Sequence, residues 1–142
     1  MNTSAIHTND SVIPAIGRIL MATIFVFSGI GKALAAEGTL GYIASVGLPF
    51  ASLALIGAIA IEIGGGVLLA IGYKTRLVAA ALAAFSLVTA FVFHNAIGDQ
   101  NQLIHLLKNI AMAGGLLQVV AFGAGAYSLD AAASRKGQPL AA

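Results

Sequence analysis

ASLALIGAIAIEIGGGVLLAIGYKTRLVAAALAAFSLVTAFVF (51–93) holds two long apolar runs parted by GYKTR (72–76). At 1.5 Å per residue, a run of about 20 residues crosses a hydrocarbon core of about 30 Å. A short glycine-led polar break between two such runs reads as a tight turn that sends the chain back across a bilayer. Strands of a membrane barrel would show shorter, alternating segments. The stretch therefore predicts two membrane-spanning helices, over 50–71 and 77–97.

Two further runs flank this pair. One covers 13–36 and the other 103–122. Gly38, Gly41, Gly47 and Pro49 punctuate the loop between the first two spans, and GDQNQ (98–102) forms the last turn. Residues 1–12 read as a polar leader, and the chain after Leu129 as a small-residue, basic tail. Ala33-Leu34-Ala35 before Ala36 mimics a signal-peptidase site. The long apolar run and Lys32 beside the site argue against cleavage. The expected architecture is all-α: one membrane domain over 1–142, folded as an antiparallel four-helix bundle.

Composition supports this. Of 142 residues, 59% are hydrophobic and 8% charged, and the mean hydropathy is +0.97. Soluble domains are about 25% charged, so this chain cannot cover itself with a water-facing surface. The net charge of +2 comes from cations spread singly, with no basic run to suit nucleic acid. Cysteine is absent, which removes disulfides, thiolate metal sites and thiol nucleophiles. Any redox chemistry must come from a bound cofactor or a partner. The cations instead suggest orientation. Arg18, Lys74, Arg76, Arg135 and Lys136 fall on one side of four spans; Lys32 and Lys108 fall towards the other. Both termini are expected in the cytoplasm.

Polar residues within spans need a reason, since a central charge costs roughly 2.5–3.5 kcal/mol. Glu62 is the sole carboxylate inside an apolar run. It reads equally as a proton or ligand site and as a structural partner for a cation or hydroxyl. Gly65 and Gly66 share its face and permit a close helix contact. Gln102, His105, Lys108 and Asn109 fall within an arc of about 120°, a stripe that must face protein or a wet cavity. His94 and Asn95 end the third span at similar depth. Arg18, Phe25, Gly29 and Lys32 share one face of the first. Arg18 is expected to snorkel to the headgroups; for Lys32, snorkelling and a site role stand level. Glu62 and Lys108 are expected to share one network, bridged over an axial gap of about 10 Å by water, Asn109 or a ligand. Tyr42, Ile43 and Val46 predict a short helix with one apolar face on the outer membrane surface. Two histidines without a third ligand predict no metal site.

The chain resembles the DoxX family. The resemblance lies in GRILMATIFVFSGIGK (17–32), YIASVGLP (42–49), EIGGGVLLAIGYKTRLVA (62–79), FHNAIGDQNQLIHLLKNIAMAGGLL (93–117) and SLD (128–130). It implies a four-helix bacterial inner-membrane protein, and a link to quinone reduction, membrane oxidoreductase assemblies and thiol stress. Arg18, Lys32, Glu62, His94, Asn95, Lys108 and Asn109 match the family's polar positions. The absence of cysteine separates this chain from direct thiol chemistry.

The functional expectation is a membrane subunit of a quinone-linked redox system, with a membrane or peripheral redox protein as partner. Glu62 and Lys108 are the candidate catalytic residues. Lys32, His94, Asn95, His105 and Asn109 are the candidate ligand-binding residues. Lys108, His94 and His105 would donate to a quinone carbonyl, and Glu62 would relay a proton. The alternatives are a non-enzymatic partner subunit whose polar cluster locks the bundle, and a small proton-coupled carrier. The lack of broken helices or inverted repeats weakens the carrier reading.

Overall fold

A computed structural model describes residues 12–136 of the chain. The expected polar leader therefore lies, apart from Val12, outside the described residues. Among the described residues the regular elements are all helices. They are α1 (Ile13–Leu34), α2 (Ala36–Ser45), α3 (Ala51–Ile71), α4 (Thr75–Phe93), α5 (Gln100–Phe122) and α6 (Leu129–Lys136). The long helices α1, α3, α4 and α5 match the four predicted spans and are long and apolar enough to cross a membrane.

Local chemistry explains the boundaries. Pro14 opens α1, where its missing N–H costs nothing. Gly72 ends α3 in the left-handed region at φ 71°. Its amide and that of Tyr73 bond back to Leu69 and Leu68 carbonyls, closing the last turn. The α4 end falls at Phe93, earlier than the predicted 97, because His94 leaves helical geometry. Asp99 caps α5 by accepting from the Gln102 amide at 2.9 Å, so that helix begins three residues before the predicted 103.

Small residues set the packing. Ala22, Phe25, Leu69, Ala79, Leu82, Ala83, Ala113 and Leu116 form the core. A Cβ on Gly66 would stand 2.7 Å from Val26 Cγ2, and one on Gly29 would stand 2.7 Å from Ile63 Cγ1. These glycines let α1 and α3 approach closely. Phe27, Leu34, Leu53, Leu77 and Phe122 stay exposed on the outside, the arrangement a lipid-facing surface requires.

Arg18 corrects one expectation. It does not snorkel; it is 1% exposed and inside the protein. Nε donates to Ala124 O at 3.0 Å, Nη1 to Leu69 O at 2.7 Å and Ala70 O at 2.9 Å, and Nη2 to Tyr127 O at 2.7 Å. Two of these carbonyls belong to the last turn of α3, where a cation complements the helix dipole. Asp130 of α6 completes the clasp. Its carboxylate accepts from the amides of Lys74 and Thr75, both at 2.8 Å, and so caps α4 from a distant segment. The start of α1, the end of α3, the start of α4 and the chain after α5 are thereby tied together at one end.

Candidate functional site

The other half of the molecule holds a cavity of about 490 Å³. Its wall is built from four elements. α1 supplies Phe25, Ser28 and Lys32; α3 supplies Glu62; α4 supplies Phe85, Val88 and Phe93, followed by His94; α5 supplies His105, Lys108, Asn109 and Met112. α2 closes over it with Tyr42 and Ile43. The wall is mostly apolar, with few polar groups, the usual make-up of a small-molecule site.

Glu62 sits where α3 departs from α-geometry. Ala60–Gly64 forms a π-helical turn, and Glu62 lies at its centre. Such turns are frequent at functional sites. Glu62 is 5% exposed. Its Oε1 accepts from Lys32 Nζ at 2.8 Å and from the Ser28 hydroxyl at 3.1 Å. Lys32 Nζ also donates to Ser28 Oγ at 2.7 Å. The three side chains form a closed triangle. The second carboxylate oxygen, Oε2, is buried and has no hydrogen-bond partner among the described residues.

The Glu62 partner is therefore Lys32. Lys108 lines the same cavity without forming a direct bond to Glu62. Its helix brings it to the cavity by the polar arc that the sequence shows. Nearer the α4–α5 turn, the rings of His94 and His105 stack with centroids 5.0 Å apart. His94 Nδ1 lies 2.9 Å from Gln102 Oε1. Asn109 Nδ2 donates to the His105 carbonyl one turn back, at 2.9 Å. Asn95 stands apart: it is exposed in the turn and does not line the cavity. Among the described residues no cluster of three or more His, Asp or Glu could hold a metal ion.

The structure also gives the site residues that sequence reasoning passed over. Ser28 is one helical turn before Lys32, a spacing at which side chains meet, and that spacing was the available signal. Tyr42 donates to the Phe93 carbonyl at 2.9 Å and packs on its ring. The expected short helix exists as α2; Ile43 is 4% exposed and lines the cavity, while Tyr42, at 44%, and Val46, at 37%, stay exposed.

The DoxX family profile matches residues 13–95, which hold α1 to α4 and the Lys32–Glu62 pair. This chain belongs to the DoxX family. Two Escherichia coli K12 proteins are similar to it. Inner membrane protein YqjF is 36% identical over 121 residues, covering 85% of this chain and 92% of the relative. Inner membrane protein YphA is 34% identical over 126 residues, covering 84% of this chain and 89% of the relative. No solved structure matches the chain. With four apolar membrane-length helices and inner-membrane relatives, this DoxX chain is a multi-pass inner-membrane protein.

Proposed function

We propose that this DoxX chain is the membrane subunit of a quinone-linked redox system, and that the cavity binds the quinone head. One observation carries the reading: a mostly apolar cavity inside the spans gathers Lys32, Lys108, His94, His105 and Asn109 around a single buried carboxylate. Hydrogen-bond donors outnumber anionic acceptors there. A flat apolar ring with carbonyl acceptors complements such a wall. Lys108 and the His105 imidazole donate to a carbonyl, the neutral His94 ring, whose Nδ1–H points at Gln102 Oε1, stacks behind His105, and Glu62 exchanges a proton through its unpaired Oε2. The chain carries no cysteine, so the electrons come from outside its own side chains, and we assign them to a partner redox protein. The four spans cross antiparallel with both termini in the cytoplasm, which puts the cavity in the outer half of the bilayer. The five cations outside the cavity support this orientation.

A second reading is supported by the closed triangle itself. Glu62 Oε1 already has two partners, as a purely structural lock would. Purification in mild detergent followed by quinone extraction separates the two. The first reading predicts a co-purifying quinone that disappears in a cavity-filling Met112→Trp variant of normal helicity. Equal quinone in both proteins, or none in either, would leave the lock.

A further inference from the structure

We propose that the cavity selects a ligand whose ring head carries one negative charge when bound, as the anion of a hydroxyquinone does. This rests on the quinone reading above and narrows it to a charge class. The argument is a charge balance. Two ammonium groups, Lys32 and Lys108, line the cavity, and one carboxylate, Glu62, lines it with them. Lys32 Nζ sits 2.8 Å from Glu62 Oε1, the one ion pair among the described residues. That pair is neutral as a unit. Lys108, an exposed side chain at the edge of the cavity wall, has no carboxylate partner among the described residues.

Among the described residues, the remaining carboxylates do not answer it. Asp99 is engaged in capping α5, Asp130 in capping α4 at the opposite end, and neither they nor Glu37 line the cavity. His94 and His105 are neutral or positive, so they cannot supply the missing anion. An unpaired cation at the cavity edge favours the charged form of an acid bound next to it. A neutral quinone offers only a carbonyl dipole. A ring that bears an ionised hydroxyl beside its carbonyl offers a full charge and an acceptor at one edge. Its apolar body still fits the wall of Phe25, Phe85, Val88 and Met112.

The test uses two ligands of one shape. A naphthoquinone with a ring hydroxyl next to a carbonyl is an anion at neutral pH; its methyl ether is not. Equilibrium binding is measured to the full chain in nanodiscs of neutral phosphatidylcholine, after subtracting partition into empty nanodiscs. The expected result is at least tenfold tighter binding of the anion, and Lys108→Met bringing the two ligands to similar affinity. Should Lys108→Met fail to fold, Lys108→Gln replaces it; should both fail, the ligand pair on the wild-type chain decides alone. Both rings binding with equal affinity would overturn the charge selection while leaving the quinone site standing; that is the outcome if Lys108 reaches out to the headgroups. Neither ring binding saturably would overturn the quinone reading, and this inference with it.

Discussion

Arg18 and Lys32 lie on one face of α1, yet they serve different ends of the molecule. Arg18 is held by four backbone carbonyls from two other segments. Hydrogen bonds from a charged donor are worth about 1.5–3 kcal/mol each, so Arg18→Met is expected to destabilise by at least about 3 kcal/mol. Thermal unfolding in detergent would read it, and a Tm within a degree of wild type would contradict it. Glu62 is buried and Lys32 is 29% exposed, so removing one partner costs less than the about 3–5 kcal/mol of a fully buried pair. The double variant Lys32→Met with Glu62→Gln should therefore lose much less than the two single losses summed. Glu62→Gln with Lys108→Met should lose close to their sum in stability, because no direct bond joins them. The sequence showed that each in-span charge needs a partner, but not which one. Glu62 has Lys32 and Lys108 at comparable depth in the apolar pattern, and only the packing of α1 on α3 through Gly29 and Gly66 selects Lys32. Arg18 lies one turn inside its span, where a snorkel and a buried clasp look alike in sequence.

At the scale of elements, the turns carry the fold. Gly72 is irreplaceable by geometry: φ is 71°, and a Cβ would stand 2.5 Å from Ser128 Cβ and 2.7 Å from Arg18 Nη1. Gly72→Ala is expected to cost roughly 2 kcal/mol or more, from left-handed strain plus the displaced clasp, read as a lowered Tm. The Asp130 cap predicts a pH dependence. Burial pushes its carboxyl up, but hydrogen bonding from Thr75 and the Lys74 amide, with the Arg18 charge, holds it below its ordinary value of 3.8. A lowered folded pKa means the stabilisation is complete above that ordinary value and is lost as pH falls through the folded one. Acidification below pH 3.8 should lower the Tm of wild type more steeply than that of Asp130→Asn. Parallel curves would show that the cap does not titrate with folding. The spans were legible because apolar length and glycine-led turns leave plain marks. The π turn at Ala60–Gly64 was not: its residues AIEIG fit an α-helix as well, and the wider turn is visible only in the backbone. The cap from Asp130 was hidden for a similar reason, since it joins residues 55 and 56 positions apart.

The whole molecule divides into a clasped end and a hollow half. Arg18, Gly72 and Asp130 fix the helix ends at one side, and the cavity under α2 occupies the other. Exposed apolar side chains such as Phe27, at 79%, and Leu34, at 84%, mark the lipid-facing surface. Reporter fusions at residue 74 and at the C-terminus should both report cytoplasm; a periplasmic signal from either would reverse the orientation or the span count. The cavity's occupant is the central claim, and the chain offers a direct probe because it contains no tryptophan. Phe85→Trp places one indole in the cavity wall, and Phe27→Trp places one on the lipid face. Each variant is reconstituted in nanodiscs and titrated with a short-chain quinone while its fluorescence is followed. The account predicts saturable quenching of the Phe85→Trp indole, and only gradual quenching of the Phe27→Trp indole in proportion to quinone in the bilayer. Equal, unsaturable quenching of both indoles would contradict it, because quinone would then be dissolved in the lipid and absent from the cavity.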